Sequence, residues 1–162
     1  MMNVENQTVY LIRPKWQGLA NDLLVKPEGG EVLFHVKSKH VSVLRRTYFV
    51  YDAALQEVLR TEQDHTALFP RHTVFEGNRA IGKLGQAGLI PRNYFVHLDG
   101  SPRAEVHIGG RETVFPLRNE KDVIAEIGQH RSTWVVVLST DQNRFHVLAC
   151  IAILYREDTL TG

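Results

Sequence analysis

The run Phe145-His-Val-Leu-Ala-Cys-Ile-Ala-Ile-Leu-Tyr155 is apolar on every side of a helical wheel, with only His146 near its start to interrupt it. A helix with one apolar stripe can lie on a surface, but one that is apolar all round has to be enclosed. A bilayer is the first candidate enclosure, yet spanning one takes about 20 apolar residues, and runs of roughly 10 to 14 more often belong to buried core helices. A buried strand is the alternative, since Val, Ile and Tyr favour sheets. Run length, the good helix formers Leu148, Ala149, Ala152 and Leu154, and Thr140 or Asp141 as N-caps favour the helix. Arg156 then falls in its last turn, where a cation suits the carbonyl end of the dipole, and Glu157-Asp158 read as a solvated tail.

The rest of the chain supplies the enclosure. A first strand is predicted over Thr8 to Ile12 and a second over Leu23 to Lys26, after the break at Pro14-Lys-Trp-Gln-Gly18. From there a unit of strand, turn and return strand recurs. Leu24-Val-Lys26 and Val32 to Lys37 flank Pro27-Glu-Gly-Gly30; Tyr48 to Tyr51 and Glu57 to Thr61 flank Asp52 to Gln56; Thr73 to Phe75 and Arg79 to Leu84 flank Glu76-Gly-Asn78. In Arg103-Ala-Glu-Val-His-Ile108, following Tyr94 to Leu98, apolar and polar residues alternate strictly. Thr113 to Leu117 with Val123 to Ile127, then Trp134 to Leu138, complete about a dozen strands, a spacing typical of antiparallel sandwiches and barrels. Pro116 inside one of them predicts an edge or a bulge.

The helix decides between those two architectures. A two-layer sandwich has a filled core about 10 Å thick, the width of a helix with its side chains, whereas a barrel of about a dozen strands leaves room for one inside. The fold expected is mainly β: a closed antiparallel barrel of about 12 strands around a central, hydrophobic, C-terminal α-helix, formed by residues 1–162 as one domain. A single cysteine, Cys150, excludes an internal disulfide, and the first residues have neither a basic nor an apolar segment of a secretion signal. Both features predict a cytoplasmic location. A formal net charge of +1 gives no general attraction to nucleic acid.

The aromatic-led strands, the Asp or Glu turns with Gly, the return strands and the ending Leu148-Ala-Cys-Ile-Ala-Ile-Leu154 together resemble the tubby-like superfamily. The likeness is to its small LURP-one-related branch, to which phospholipid scramblases are also similar. It covers nearly the whole chain and implies the same helix-filled barrel. Phosphoinositide binding belongs to tubby proteins proper, and lipid translocation is ascribed to scramblases. This chain has no Pro-rich N-terminal arm and no acidic calcium-type loop, so neither activity transfers directly.

Motifs for catalysis are absent. Gly77-Asn-Arg-Ala-Ile-Gly-Lys83 matches the start of a phosphate-binding loop, but Leu84 stands where a Ser or Thr should reach magnesium, and Gly77-Asn78 reads as a hairpin turn. Gly82 to Gly88 lacks the helix a dinucleotide fingerprint needs. The eight His residues show no metal-ligand spacing, and no nucleophile elbow exists, so no cofactor, metal or enzymatic role is expected. Cys150 in an apolar helix should be inert. His146, at the helix start, is the candidate for a barrel-mouth site, with a hydrogen bond to a loop carbonyl as its ordinary alternative. The strongest binding feature is charge: Lys37, Lys39, Arg45 and Arg46 flank a loop between hairpins without an acid among them. Four such cations suit anionic phospholipid head groups, at about 1 kcal/mol each. The function expected is a non-catalytic module, peripheral to a membrane, that binds an anionic phospholipid or a protein partner. The alternative is a protein-assembly or small-molecule-binding barrel with no membrane role.

Overall fold

The structure is a computed structural model that describes residues 8–15, 22–42, 45–64, 66–139 and 143–161. Twelve strands form a closed barrel in which each pairs antiparallel with its neighbour in the chain. They are β1 (Val9–Pro14), β2 (Leu23–Pro27), β3 (Phe34–Ser42), β4 (Arg45–Asp52), β5 (Glu57–Gln63), β6 (Arg71–Glu76), β7 (Arg79–Gln86), β8 (Asn93–Leu98), β9 (Ala104–His107), β10 (Val114–Arg118), β11 (Val123–His130) and β12 (Thr133–Leu138). The last strand closes on the first, from Val9↔Val137 to Ile12↔Trp134. Helix α1 (Arg144–Thr161) follows.

Alternation along each strand sends one set of side chains inward. Tyr10 and Ile12, Leu23 and Val25, Phe34 and Val36, Val96 and Leu98, and Trp134, Val136 and Leu138 are all buried, and their inner face meets the helix. Every residue from Leu148 to Leu154 is fully buried. A short apolar run thus becomes the axis of a cylinder, and burying each Leu or Ile side chain contributes roughly 2 kcal/mol.

The wall differs from the sequence expectation in three places. Lys37 to Arg46 is not a loop: β3 and β4 form one long hairpin, paired from Phe34↔Asp52 to Ser42↔Arg45. The high content of Lys and Ser there disguises strands whose outer face is simply wet. The helix does not end near Tyr155; it runs to Thr161, so Arg156 lies before the last turn, which holds no basic residue. Nor are Glu157 and Asp158 a solvated tail, because both are buried. No Gly or Pro occurs between Tyr155 and Thr161 to stop the helix, and the barrel wall supplies partners for both carboxylates. The candidate N-caps Thr140 and Asp141 lie outside the described residues.

Pro116 sits in β10, opposite Glu126 of β11, with a register shift between Leu117 and Arg118. On its other side β10 pairs with β9 at Arg118↔Glu105 alone, so a strand that has lost an N–H donor lies at the sparsest seam of the barrel. The glycines that mimicked a nucleotide loop also have a wall role. A Cβ at Gly82 would come within 2.5 Å of the His97 carbonyl oxygen, so β7 and β8 can approach only over a glycine.

Candidate functional site

Because successive strands reverse direction, their connections alternate between two ends of the barrel. The β2–β3, β4–β5, β6–β7, β8–β9 and β10–β11 turns surround the start of the helix, the entry end. The β5–β6, β7–β8, β9–β10 and β11–β12 connections lie at its finish, the far end.

At the far end the barrel interior turns polar. The Glu157 carboxylate accepts hydrogen bonds from Tyr48 Oη at 2.5 Å and His72 Nε2 at 3.0 Å, with Arg46 Nη2 3.6 Å away. Tyr48 and His72 are themselves fully buried, their rings edge to face at 5.4 Å. Asp158 accepts two bonds from Arg92, at 2.9 and 2.8 Å, and one from Tyr94 Oη at 2.7 Å. Burial alone would raise the Glu157 carboxyl, but the bonds from His72 and Tyr48 and the charge of Arg46 outweigh it and hold the group below the usual carboxylate range. Burial, followed by the neighbouring carboxylate, pushes the Tyr48 phenol well up. The bond to Asp158 raises Arg92. Two anions near a helix C-terminus oppose the dipole, so these partners are what make the arrangement stable. They tie the helix to β4, β6 and β8 at once. Tied in this way the cluster acts as a clamp, and within it His72 Nδ1 is buried without a hydrogen-bond partner. Burial likewise pushes the Cys150 thiol up to about 12.

At the entry end the helix is less completely covered. Phe145 is 57% exposed, its ring edge-on to Phe34 at 6.0 Å. His146 Nε2 lies 2.8 Å from Glu76 Oε2, whose other oxygen is 3.4 Å from Arg79 Nη2. The partner of His146 is therefore a carboxylate and not a loop carbonyl. Two hollows meet at this histidine. A mainly apolar one of about 330 Å³ is lined by Phe34, Val58, Leu59, Glu76, Phe145 and His146. A more polar one of about 230 Å³ is lined by Arg79, Ile81, Leu98, Asp99, Asn143 and His146.

The two rims also differ in charge. Around the entry end, the turns and their flanking strand residues carry Glu28 and Glu31, Asp52 and Glu57, Glu76, Asp99, and Glu120 and Asp122. The cations among them are Arg79, Arg103, Arg118 and Lys121. Around the far end the balance reverses: Lys15, Arg71, Arg92, Arg111 and Arg131 against Asp22, Asp64 and Glu112. Apolar tips stand on this basic rim. Leu68, on the β5–β6 loop, is 88% exposed, and Leu89 and Ile90, on the β7–β8 loop, are 82% and 58% exposed. A bond from Gln86 N to Pro70 O at 2.9 Å fastens these two loops together.

The four cations singled out from sequence do not share one face. Lys37 and Lys39 point outward from β3, and the Lys37 ammonium lies 5.7 Å from the Tyr51 ring centre. Arg46 turns inward to Glu157. The Arg45 backbone pairs with Ser42 at the hairpin end, and its side chain lies outside the described residues. Sequence reasoning missed Tyr48, His72, Arg92, Tyr94, Glu157 and Asp158. A signal was available, since Tyr48 and His72 occupy the inward register of Val50 and Val74. Among the described residues no group of three or more His, Cys, Asp or Glu is arranged to hold a metal ion, and no helix is long and apolar enough to cross a membrane. Compared with known proteins, the chain matches no family model, no curated protein and no solved structure.

Proposed function

We propose that the barrel is a non-catalytic binding module that docks on an anionic phospholipid surface through its far end. The observation that carries this reading is the juxtaposition there of three exposed apolar side chains, Leu68, Leu89 and Ile90, with a rim of excess cations. The apolar tips gain roughly 0.8 kcal/mol for each methylene that leaves water. The cations add about 1 kcal/mol each near an anionic leaflet. Neither contribution alone holds a protein firmly, and their coincidence at one end supports a membrane surface over a soluble anion. Lys39, on the outer face of β3 toward the same end, extends the basic area. The likeness to tubby-like and LURP-one-related proteins points the same way, and a cytoplasmic, membrane-peripheral location fits this reading.

Vesicle flotation tests it. Wild-type protein is expected to float with vesicles of phosphatidylcholine containing phosphatidylserine or phosphoinositide, and to stay at the bottom with phosphatidylcholine alone. Leu68→Glu with Leu89→Glu, and separately Lys39→Glu with Arg45→Glu, should each reduce binding at least about tenfold, the effect of losing roughly 1.4 kcal/mol. No flotation by the wild-type chain, or flotation untouched by both pairs, would remove the reading.

A further inference from the structure

We infer that the apolar hollow at the entry end is a binding site for a small organic cation, a ring-bearing primary amine whose ammonium bonds Glu76 while its ring packs on the exposed surface of Phe145, beside Phe34. This site lies at the opposite end from the proposed lipid-facing rim and does not depend on that reading. Three observations carry it.

The first is shape and lining. The hollow of about 330 Å³ is walled by Phe34, Val58, Leu59 and Phe145, and its polar groups are those of Glu76 and His146. That combination of an apolar body with one polar anchor is the usual form of a small-ligand site.

The second is the sign of the charge. Glu76 places its carboxyl group in the wall; Arg79 Nη2 lies 3.4 Å from its Oε1 and also lines the neighbouring hollow, which leaves Oε2 facing His146. The helix start opposes a cation with only about half an elementary charge. Seven further carboxylates ring this end of the barrel, from Glu28, Glu31, Asp52, Glu57 and Asp99 to Glu120 and Asp122, and outnumber the cations Arg79, Arg103, Arg118 and Lys121, an excess that favours cations at its mouth. An incoming ammonium would take the place that His146 Nε2 holds on Glu76 Oε2 at 2.8 Å.

The third is the aromatic pair. Phe34 and Phe145 meet edge to face at 6.0 Å, and Phe145 leaves more than half its surface in water although it belongs to the helix that fills the core. A ring stacked on Phe145 would cover that surface, and the ring faces attract a cation lying over them.

Titration of the full chain with phenethylamine, followed by two-dimensional amide NMR, tests the inference, with 3-phenylpropionate as the probe of like shape and opposite charge. Phenethylamine should give saturable shifts centred on residues 34, 58–59, 76 and 145–146, and 3-phenylpropionate should bind at least about tenfold more weakly. Glu76→Gln should weaken the amine by about the same factor, since a charged hydrogen bond is lost. Phe145→Ala, at an exposed ring, should weaken both probes together and serves should E76Q disturb the turn. Absence of saturable shifts at about 10 mM amine, a millimolar limit corresponding to roughly 3 kcal/mol of binding, would overturn the inference. Equal responses to both probes, unchanged amine binding in E76Q, or shifts only with a Lys- or Arg-bearing peptide would overturn it too.

Discussion

One helix meets two different surroundings at its two ends. At Glu157 and Asp158 it is clamped by inward-facing side chains from β4, β6 and β8 and by Arg92 from the loop before β8. At Phe145 and His146 it is held by a partly exposed ring contact and one carboxylate, with hollows on either side. The contrast separates two tasks that a helix-filled barrel has to perform. Sealing one end fixes the depth and rotation of the helix, and a looser opposite end can then expose a ring and leave space for a ligand without threatening the fold.

Substitutions graded along the helix should break or sharpen this contrast. The largest effect is expected midway, where Ala152 is fully buried and no partner for a charge is near: Ala152→Asp should prevent folding, leaving no cooperative thermal transition by circular dichroism, because an unpaired internal carboxylate costs several kcal/mol. Next comes the clamp. Glu157→Ala strands Tyr48 Oη, His72 Nε2 and Arg46 in the interior and should cost about 3 kcal/mol in denaturant titrations. The conservative Glu157→Gln should cost less.

Acid should act on the same clamp. The Glu157 carboxyl is held below its unfolded value, so its stabilisation is fully present above the unfolded carboxyl range and is lost as pH falls through the folded value. Wild-type stability should therefore drop below about pH 4.5 by more than that of Glu157→Gln. Parallel pH profiles for the two proteins would mean that the clamp does not titrate with the fold. The smallest effect belongs to the entry end. His146→Ala removes a half-exposed contact with Glu76 and should change stability by less than about 1 kcal/mol.

The architecture was legible because its governing signal is local and repetitive. Eleven positions interrupted only by His146 demanded enclosure, and turn residues recurring between short alternating strands supplied a wall of the right size. What escaped depends on register between distant segments. His72 and Glu157 are 85 positions apart and Tyr94 and Asp158 are 64 apart, so no spacing rule joins them. The basic hairpin was misread because Lys37 and Lys39 alternate with Ser38, a residue that also marks loops, and the strand showed only once Ser42↔Arg45 closed the ladder. The charge difference between the rims was hidden in plain view: it follows from assigning successive turns to opposite ends, which requires the number and direction of the strands first.

Enclosure of the helix, sealed at Glu157 and open at Phe145, is tested most directly by native-state hydrogen exchange resolved to single amides. Amides from Leu148 to Asp158 are expected to exchange only through global unfolding, with a common free energy equal to that from denaturant, while those of Phe145 to Val147 exchange earlier. Rapid or graded exchange through Ala149, Cys150 and Ala152, well below the global value, would show a helix that leaves the barrel on its own and would contradict the enclosure.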